Sequence, residues 1–412
     1  MKPEQFTKLK TLLQRVQQQS PFYQNKYKAA GFDVDAVQTP EDIAHIPFTT
    51  KEELREAYPL NIQAVPDEEV VRIHSSSGTT GKPIIIPYTV NDVDTWAEMM
   101  RRCMAVAGLT AKDRIQITPG YGLWTAGIGF QAGAEKLGAM AIPMGPGNTE
   151  KQLQMMVDLQ STALCATSSY ALLLAEEIRK RELKSNIKLK KAILGSERWG
   201  DKMRARIREE LGVELYDIYG LTEIYGPGIS ISCRAGNGLH YWDDYLLFEI
   251  INPQTGSPVA DGEYGELVIT TLTKEGAPLI RYRTRDITRL LTGECSCGMQ
   301  HPRHDLILGR SDDMVKVKGV NIYPGQVEDV LKHIEGISSE YQIVLDRDED
   351  AKDTMLLRFE QQTGFDGSNL ELRVKKYFKT KVGLTINAES LAIGQLPRSE
   401  KKTARVIDNR YN

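Results

Sequence analysis

A regular alternation of strand and helix patterns between residues 111 and 223 constrains the fold of this chain more than any other feature. Short apolar runs are separated by amphipathic stretches with helical spacing, such as those at 170–183 and 200–211. Strands that alternate with helices in this way form crossover units and a parallel sheet. The sequence therefore predicts an α/β fold. The predicted strands cover residues 114–118, 139–143, 161–167, 190–194 and 213–219.

Four segments with unusual polar and aromatic residues lie just past the carboxyl ends of the predicted strands. In an open α/β sheet, ligands bind in the crevice outside the carboxyl ends of the strands. The linear pattern therefore predicts one pocket that is lined by four loops. These loops are PGYGLW (119–124), ATSSY (166–170), GSERW (195–199) and YGLTE (219–223).

The remainder of the chain indicates further domains. At roughly 100–200 residues per domain, a chain of 412 residues predicts two or three of them. Residues 238–292 place turn clusters between alternating apolar runs, which is typical of an antiparallel β subdomain. A smaller α+β pattern follows the polar segment GRSDDM. We predict an N-terminal domain at 1–308, containing a β subdomain at about 225–308, and a small C-terminal domain at 309–412.

Composition excludes several classes of partner. The chain has 52 basic and 55 acidic residues, for a net charge of −3, so no bulk attraction to nucleic acid or to an anionic membrane is expected. It has no run of about 18 apolar residues and no apolar signal-peptide core at its N-terminus. Five cysteines are too few for a disulfide scaffold and favour a reducing compartment. We therefore expect a cytoplasmic protein.

The segment SSSGTTGKP (75–83) is the densest cluster of small residues in the chain. Its hydroxyls and glycine amides are suited to wrapping a triphosphate, and Lys82 adds positive charge. It is not a Walker A loop, because only two residues separate Gly78 from Gly81 and Pro83 follows the lysine. An apolar run follows, so the loop is predicted to join two strands. The alternative is an ordinary polar hairpin.

Five segments in order resemble the adenylate-forming acyl-CoA synthetase superfamily, and within it the phenylacetate–CoA ligase family. The resemblance implies a two-step reaction, in which ATP and a carboxylic acid give an acyl-adenylate and pyrophosphate, and coenzyme A then gives a thioester and AMP. It implies Mg²⁺ as a cofactor. The segments are SSSGTTGKP, YDIYGLTE, RYRTRD (281–286), GRSDDMVKVKGVNIYP (309–324) and LPRSEKKTARV (396–406).

The resemblance implies roles in binding the ATP phosphates. Glu223 corresponds to the family's Mg²⁺ ligand, a hard oxygen that suits this ion, and Thr222 is expected to face the phosphates. By its position alone, Glu223 could equally be a surface glutamate at a strand end. The residues that resemble the family's phosphate loop are Ser75, Ser76, Ser77, Gly78, Thr79, Thr80 and Lys82.

The resemblance also implies how the nucleoside is bound. Asp286 resembles the acid that accepts hydrogen bonds from both ribose hydroxyls, although a salt bridge to Arg281, Arg283 or Arg285 is an alternative. Tyr219 is expected to stack on the base. The residues that resemble the adenine-lining segments are Ser196, Glu197, Arg198, Asp217, Ile218, Tyr219 and Gly220.

The C-terminal domain resembles a mobile lid that rotates between the two half-reactions. Lys402 corresponds to the lysine that bridges the carboxylate and the α-phosphate during adenylation. Lys401 stands where the family has glycine, so the choice between the two lysines depends on alignment from Pro397 and Arg405. Asp312 resembles the hinge residue, and Arg310 is expected to contact ribose or phosphate. A solvated lysine in a basic tail is the alternative for Lys402.

The acid is expected to bind against aromatic side chains in two of the predicted loops. Tyr121, Trp124 and Tyr170 are candidates for the walls, with Gly122 and Ala166 beside them. Neither loop segment contains Lys or Arg, so an aryl or arylacetic acid is the preferred substrate. A short or medium-chain acid is the alternative substrate. The alternative is that these aromatic residues belong to the core.

Cys295 and Cys297 form a C-x-C pair in a polar, glycine-rich segment. Some members of the resembling family carry such a pair together with residues equivalent to Cys233 and His240, which implies a structural zinc site of the Cys₃His type. His301 and His304 are alternative ligands. Cys103 and Cys165 lie in apolar patterns and are predicted to be buried core thiols.

Two other functions remain open on sequence grounds. An adenylating enzyme that passes its acyl group to a carrier protein or another acceptor would share every ATP motif. A non-catalytic nucleotide-binding protein would not need Glu223, Asp286 and Lys402 together. Besides the acid, ATP and coenzyme A, a second copy of the chain is a possible partner, because dimers are common in the resembling family.

Overall fold

The computed structural model describes residues 1–412 apart from 77–81, 198, 312–314, 318–319, 323, 348–352, 398–404 and 411–412. Its helices are α1 (Pro3–Gln19), α2 (Pro21–Ala30), α3 (Lys51–Glu56), α4 (Val90–Val106), α5 (Thr125–Leu137), α6 (Thr149–Asp158), α7 (Ser168–Lys180), α8 (Asp201–Leu211), α9 (Pro324–Lys332) and α10 (Leu370–Val382).

Its strands are β1 (Arg72–Ser75), β2 (Ile85–Tyr88), β3 (Arg114–Ile117), β4 (Met140–Pro143), β5 (Ala163–Thr167), β6 (Lys191–Gly195), β7 (Glu214–Leu221), β8 (Gly226–Ser232), β9 (Leu239–Tyr241), β10 (Leu246–Ile251), β11 (Gly265–Thr271), β12 (Tyr282–Thr288), β13 (Leu290–Leu291), β14 (Arg303–His304), β15 (Gly309–Arg310), β16 (Val315–Val317), β17 (Val320–Ile322), β18 (Ile337–Arg347), β19 (Asp353–Gln361), β20 (Asn387–Leu391) and β21 (Val406–Asp408).

The chain forms two compact units. The first unit comprises Met1–Gly145, Ser161–Cys165 and Tyr216–Leu306. The second comprises Pro146–Gln160, Ala166–Leu215 and Ile307–Asn412. The boundary between residues 308 and 309 that the sequence suggests stays a prediction.

A parallel group of strands forms part of the first unit. Strand β3 pairs in parallel with β4 on one side and with β5 on the other, with Ile115 opposite both Ala141 and Ala163. Helices α4 and α5 pack against each other at Gly129, where a Cβ atom would lie 2.3 Å from the ring of Trp96. Each of the five predicted strands is present, and the predicted α/β class is confirmed.

Antiparallel strands complete the first unit. Strand β7 pairs with β8 and β8 with β9, while β10, β11 and β12 form a separate antiparallel sheet. The pairing of β7 with β8 is irregular between Tyr219 and Gly220. A Cβ atom at Gly220 would lie 1.9 Å from the carbonyl oxygen of Gly226, so only glycine permits this close approach. The antiparallel pairing of β10 to β12 agrees with the pattern expected for residues 238–292.

Strands β1 and β2 form an antiparallel hairpin in which Arg72 lies opposite Tyr88 and Ser75 opposite Ile85. The predicted glycine-rich loop therefore joins two strands. Helix α4 begins directly after this hairpin, where the Thr89 side chain accepts a hydrogen bond from the backbone of Asp92 at 3.1 Å. The first unit thus contains, in chain order, strand β1, the glycine-rich loop, strand β2 and helix α4.

The second unit contains α6, α7, β6 and α8 together with the C-terminal α+β segment. In that segment four strands pair in the order β20, β19, β18, β21. Helices α9 and α10 contribute to its apolar core, which includes Val327, Phe359 and Phe378. The strand pair and two helices expected after residue 310 are present. No described helix is long and apolar enough to cross a membrane.

Candidate active site

Glu223 lies in a tight turn at the end of β7. The turn spans residues 222–225 and closes through the Ile224 N–H, which donates to the Leu221 carbonyl at 3.1 Å. The Glu223 side chain is buried, and its Oε1 lies 3.2 Å from Lys51 Nζ. Among the described residues, no group makes a hydrogen bond of good geometry to this oxygen. A buried carboxylate oxygen of this kind has capacity left for a cation, and its chemistry suits Mg²⁺.

Thr222, the residue before Glu223, lies close to the start of α5, the helix that follows the aromatic loop of residues 119–124. Its hydroxyl lies 3.4 Å from the hydroxyl of Thr125, the first residue of α5. The turn and the N-terminus of α5 are therefore adjacent within the first unit. The sequence predicted both segments as loops at strand ends, and the structure brings these two threonines together.

Tyr219 and Asp286 also meet in the first unit. The Tyr219 hydroxyl donates to Asp286 Oδ2 at 2.5 Å, and the Asp286 side chain is buried. The Asp286 N–H donates to Thr284 Oγ1 at 3.0 Å, which fixes the backbone at this position. A charged acceptor makes the stronger class of hydrogen bond. The two residues that the sequence assigned to base and ribose are thus hydrogen-bonded to each other.

The arginines of the RYRTRD segment pair with glutamates. Arg281 Nη2 lies 2.9 Å from Glu249 and Arg283 Nη2 lies 2.6 Å from Glu266. Arg285 lies 3.8 Å from Glu266 as well. Burial raises the pKa of Glu249, and its attraction to Arg281 acts in the opposite direction.

The described part of the glycine-rich loop is anchored by its backbone. The Ser75 N–H donates to the Leu123 carbonyl at 2.7 Å, so the loop after β1 is joined to the predicted aromatic loop. The Ser76 hydroxyl accepts a hydrogen bond from the Ile84 N–H at 3.1 Å. Lys82 is exposed, with its ammonium 5.6 Å from the centre of the Tyr58 ring.

Two buried basic residues beside these segments were not identified from the sequence. Lys274 is 1% exposed, and burial lowers its pKa to about 7, although Asp92 and Glu223 act to raise it. His74 directly precedes the glycine-rich loop, and burial lowers its pKa to about 4. Its Nδ1 lies 3.2 Å from the carbonyl of Leu123. Buried ionisable groups are uncommon, but only the tertiary structure reveals that these two are buried.

The aromatic residues expected to contact the acid differ in exposure. In the first unit, Tyr121 is half-buried, its hydroxyl has no hydrogen-bond partner among the described residues, and burial raises its pKa. Trp124 is 52% exposed and Gly122 is exposed, so Trp124 is not a core aromatic. In the second unit, Ala166 and Tyr170 are buried, and the Tyr170 hydroxyl donates to the Gly147 carbonyl at 3.3 Å.

The remaining nucleotide candidates are distributed over both units. Asp217 and Ile218 lie on β7, where the Asp217 N–H donates to Ser232 Oγ at 2.8 Å. In the second unit, Glu197 accepts a hydrogen bond from the Ser169 hydroxyl at 2.5 Å, and Ser196 has a positive φ of 70°. Arg310 lies on β15 of that unit. The candidates outside the described residues are Ser77, Gly78, Thr79, Thr80, Arg198, Asp312 and Lys402.

A second cluster brings together Cys233, His240, Cys295 and Cys297. One ligand atom from each lies within 4.8 Å of the others. Cys233 Sγ is 3.6 Å from Cys295 Sγ, and Cys297 Sγ is 3.4 Å from His240 Nε2. The His240 Nδ1 lies 2.6 Å from the carbonyl of His301, which leaves Nε2 directed at the thiols. Three thiols and one imidazole suit a tetrahedral zinc ion.

The alternative histidine ligands are engaged elsewhere. His301 Nδ1 lies 2.6 Å from Asp243 Oδ1, and His304 Nε2 lies 2.7 Å from the Ser230 hydroxyl. The cluster therefore uses His240. Cys103 and Cys165 are fully buried, as expected for core thiols.

Two protein families match successive parts of this chain. The sequence pattern of the AMP-binding enzyme family matches residues 6–273, and that of the AMP-binding enzyme C-terminal domain matches residues 319–410. A phenylacetate-coenzyme A ligase of Escherichia coli is 42% identical over 98% of this chain and 94% of its own length. A phenylacetate-coenzyme A ligase of Thermus thermophilus is also 42% identical, over 98% of this chain and 95% of its own length.

The fold is also found in solved structures. A crystal structure of 2-hydroxyisobutyryl-CoA ligase in the postadenylation state has a TM-score of 0.89 and 28% identity, and covers 99% of this chain and 89% of that chain. The sequence matches extend over nearly the full length of this chain and of its relatives. This chain therefore belongs to the AMP-binding enzyme family and, within it, to the phenylacetate–coenzyme A ligases.

Proposed function

We propose that this protein activates an aryl or arylacetic acid with ATP and transfers the acyl group to coenzyme A. The carboxylate oxygen attacks the α-phosphorus of ATP, pyrophosphate leaves, and an acyl-adenylate forms. The thiolate sulfur of coenzyme A then attacks the acyl carbon, and AMP leaves. The observation that carries the proposal is the 42% identity to two phenylacetate-coenzyme A ligases over almost the whole chain.

Adenylation brings two anions together, so the site must offset negative charge. Mg²⁺ would supply most of that charge, and the buried Oε1 of Glu223 is the atom proposed to hold it. Thr222 and the hydroxyls and amides of the glycine-rich loop would hold the phosphates. Lys51, whose ammonium lies 3.2 Å from Glu223, would add positive charge beside the same cation site.

The hydrogen-bonded pair of Tyr219 and Asp286 is proposed to bind the nucleoside. Asp286 would accept from the ribose hydroxyls, while its bond to the Tyr219 hydroxyl orients the ring for stacking on the base. The segments around Asp217 and Ser196 would complete the base site. Arg310 would contact ribose or phosphate.

Lys402 is proposed to bridge the substrate carboxylate and the α-phosphate, on a lid that begins near residue 309 and turns at Asp312. Lys401 provides a matched control, since it is the adjacent residue with the same charge. Lys402→Ala is expected to reduce pyrophosphate release by about a hundredfold or more, and Lys401→Ala far less. A larger loss in Lys401→Ala would show that the wrong lysine was chosen.

The acid is proposed to be aryl or arylacetic because the names of the relatives specify phenylacetate and the half-buried Tyr121 lies beside the exposed Trp124 in one loop. The test is a screen of carboxylic acids by pyrophosphate release. Phenylacetate is expected to give the highest kcat/KM, with acetate and octanoate as controls. A preference for octanoate would contradict the aryl assignment.

We also propose that the Cys₃His cluster holds one structural zinc ion. Four protein ligands leave no open position, so the ion would stabilise the fold and take no part in the reaction. Burial raises the pKa of the Cys233 thiol to about 11, and zinc would have to displace that proton. Metal analysis of gently purified protein is expected to find about one zinc per chain.

The main alternative to the proposed function concerns the molecule that accepts the acyl group. Thioester and AMP are expected to accumulate when coenzyme A is added to the acid and ATP. Acyl-adenylate without thioester, for every acid tested, would favour transfer to a carrier protein or another acceptor. A homodimer stays a prediction, which light scattering would check.

A further inference from the structure

Lys274 lies in a position that the proposed reaction does not explain. Its side chain is 1% exposed, and its ammonium lies 4.3 Å from the centre of the Tyr88 ring and 4.6 Å from that of Tyr225. Among the described residues it forms a hydrogen bond but no ion pair, since its Nζ donates to the Ile224 carbonyl. An ammonium removed from water without a paired carboxylate is costly. The two rings and the charges of Asp92 and Glu223 offset part of this cost, and among the described residues the turn carbonyl is the hydrogen-bond partner of the ammonium.

The acceptor of this hydrogen bond is the residue directly after Glu223. The next carbonyl in the turn, that of Tyr225, accepts a hydrogen bond from the Tyr88 hydroxyl at 3.0 Å. Two side chains from different elements thus hold two consecutive carbonyls. The side chains of Lys274 and Tyr88 are both buried, so these two donors have little freedom to move. The position of the Glu223 carboxylate follows from the position of this turn.

We propose that Lys274 is a positioning residue that fixes the turn of residues 222–225 so that Glu223 presents its carboxylate to the divalent cation of the bound nucleotide. This inference rests on the proposed function, because it concerns the cation that accompanies ATP. Lys274 itself does not contact the cation. It acts through the Ile224 carbonyl, and the Tyr88 hydroxyl acts in the same way through the Tyr225 carbonyl.

The positive charge of Lys274 allows positioning to be separated from electrostatics. In its charged form, Lys274 repels a divalent cation at Glu223, so its removal would tighten cation binding if charge were its only effect. If Lys274 instead holds the turn, its removal leaves the Ile224 carbonyl unsatisfied and weakens cation binding. The two effects have opposite signs.

The experiment compares Lys274→Met, Tyr88→Phe and the control Leu13→Ala. Methionine keeps an unbranched apolar stem and removes the donor, and phenylalanine keeps the ring and removes the hydroxyl. Leu13 is a buried residue of α1. Its truncation to alanine leaves a cavity in the core and lowers the free energy of unfolding. The probe is Mn²⁺, which prefers the same oxygen ligands as Mg²⁺. Binding of Mn²⁺ in the presence of ATP is measured by electron paramagnetic resonance, so no turnover is needed.

We expect Lys274→Met to weaken Mn²⁺ binding about tenfold, as for a buried carbonyl that loses its donor. Tyr88→Phe is expected to weaken it less, and Leu13→Ala not at all. Lys274→Arg, which keeps a donor and the charge, is expected to restore part of the affinity. Unchanged or tighter binding in Lys274→Met would overturn the inference, as would equal weakening in Leu13→Ala. If Lys274→Met does not fold, unchanged binding in Tyr88→Phe overturns it.

Pyrophosphate release by the unmodified protein is measured in parallel. Absence of pyrophosphate release with every acid would contradict the proposed function. The role of Lys274 is decided separately, by the ratio of the Mn²⁺ affinities of Lys274→Met and the unmodified protein. With an active acid, Lys274→Met is expected to raise the half-saturating Mg²⁺ concentration without changing the KM for the acid. A purely structural role would reduce the active fraction and leave both concentrations unchanged.

Discussion

Two polar clusters of the first unit hold their candidate ligand atoms in opposite ways. In the Cys₃His cluster, the four candidate ligand atoms lie within 4.8 Å of one another and face a common centre. In the turn of residues 222–225, Glu223 Oε1 accepts no well-formed hydrogen bond from a described group, and the Lys51 ammonium lies 3.2 Å from it. The backbone of the turn, in contrast, is held by Lys274 and Tyr88.

We propose that this difference separates a structural site from a site for a reactant. A closed tetrahedral set has no room for substrate, so its free energy of binding contributes to folding. A site that binds a nucleotide must keep capacity unused until the ligand arrives, and rigid neighbours must hold that unused group in place. The Cys₃His cluster fits the first description and the Glu223 turn fits the second.

Glu223→Gln is the strongest test of this contrast. We expect pyrophosphate release to fall by about 10²–10³-fold, the loss seen when one preorganised charge-stabilising group is removed. The melting temperature is expected to change little. Glu177→Gln, at a half-buried glutamate of α7 that pairs with Lys180 and Arg181, is the matched control. Loss of stability with full activity would place Glu223 in the same class as the cysteine cluster and break the comparison.

Cys295→Ser should give the reverse result. Zinc content is expected to fall from about one per chain to near zero, and the melting temperature should fall with it. Activity per folded molecule should be retained, because a closed four-ligand site offers no position for a substrate. Cys103→Ala, in the core, is expected to lose stability but keep its zinc. Normal stability in metal-free Cys295→Ser protein would argue against a structural ion.

Tyr219→Phe tests the pair of residues that is proposed to bind the nucleoside. The variant loses a hydrogen bond to the Asp286 carboxylate but keeps the ring. We expect the KM for ATP to rise about tenfold, as for a hydrogen bond to a charged group, with kcat nearly unchanged. Asp286→Asn is expected to have a larger effect in the same direction. An unchanged KM in both variants would remove this pair from the nucleotide site.

The pH dependence of stability gives the smallest expected effect. Burial lowers the pKa of Lys274 to about 7, with Asp92 and Glu223 the opposing charges, while an unfolded lysine titrates near 10.5. Between these values unfolding takes up a proton, so the free energy of unfolding rises with pH. Relative to Lys274→Met, the unmodified protein should gain on the order of 1 kcal/mol between pH 7 and 8. Denaturant titrations at both pH values measure this gain, and parallel curves would contradict the lowered pKa.

The sequence predicted the elements well because their signals are local. Each predicted strand between 114 and 219 is present, since apolar runs and turn residues act within a few positions of the chain. Short motifs singled out Glu223, Asp286 and the C-x-C pair, and the resemblance to the family added Cys233 and His240. The alternative that Glu223 is a surface residue is wrong, because its side chain is buried. Burial depends on packing that no short segment encodes.

The sequence by itself determined the α/β class, the order of the motifs and the family, because these depend on patterns of neighbouring residues. The tertiary structure decided which distant groups meet. Lys274 binds a carbonyl 50 residues away, and Cys233 meets Cys295 across 62 residues. It also selected His240 over His301 and His304, through the hydrogen bonds of each imidazole. Such contacts depend on strand register and side-chain packing, which are set only when the whole core forms.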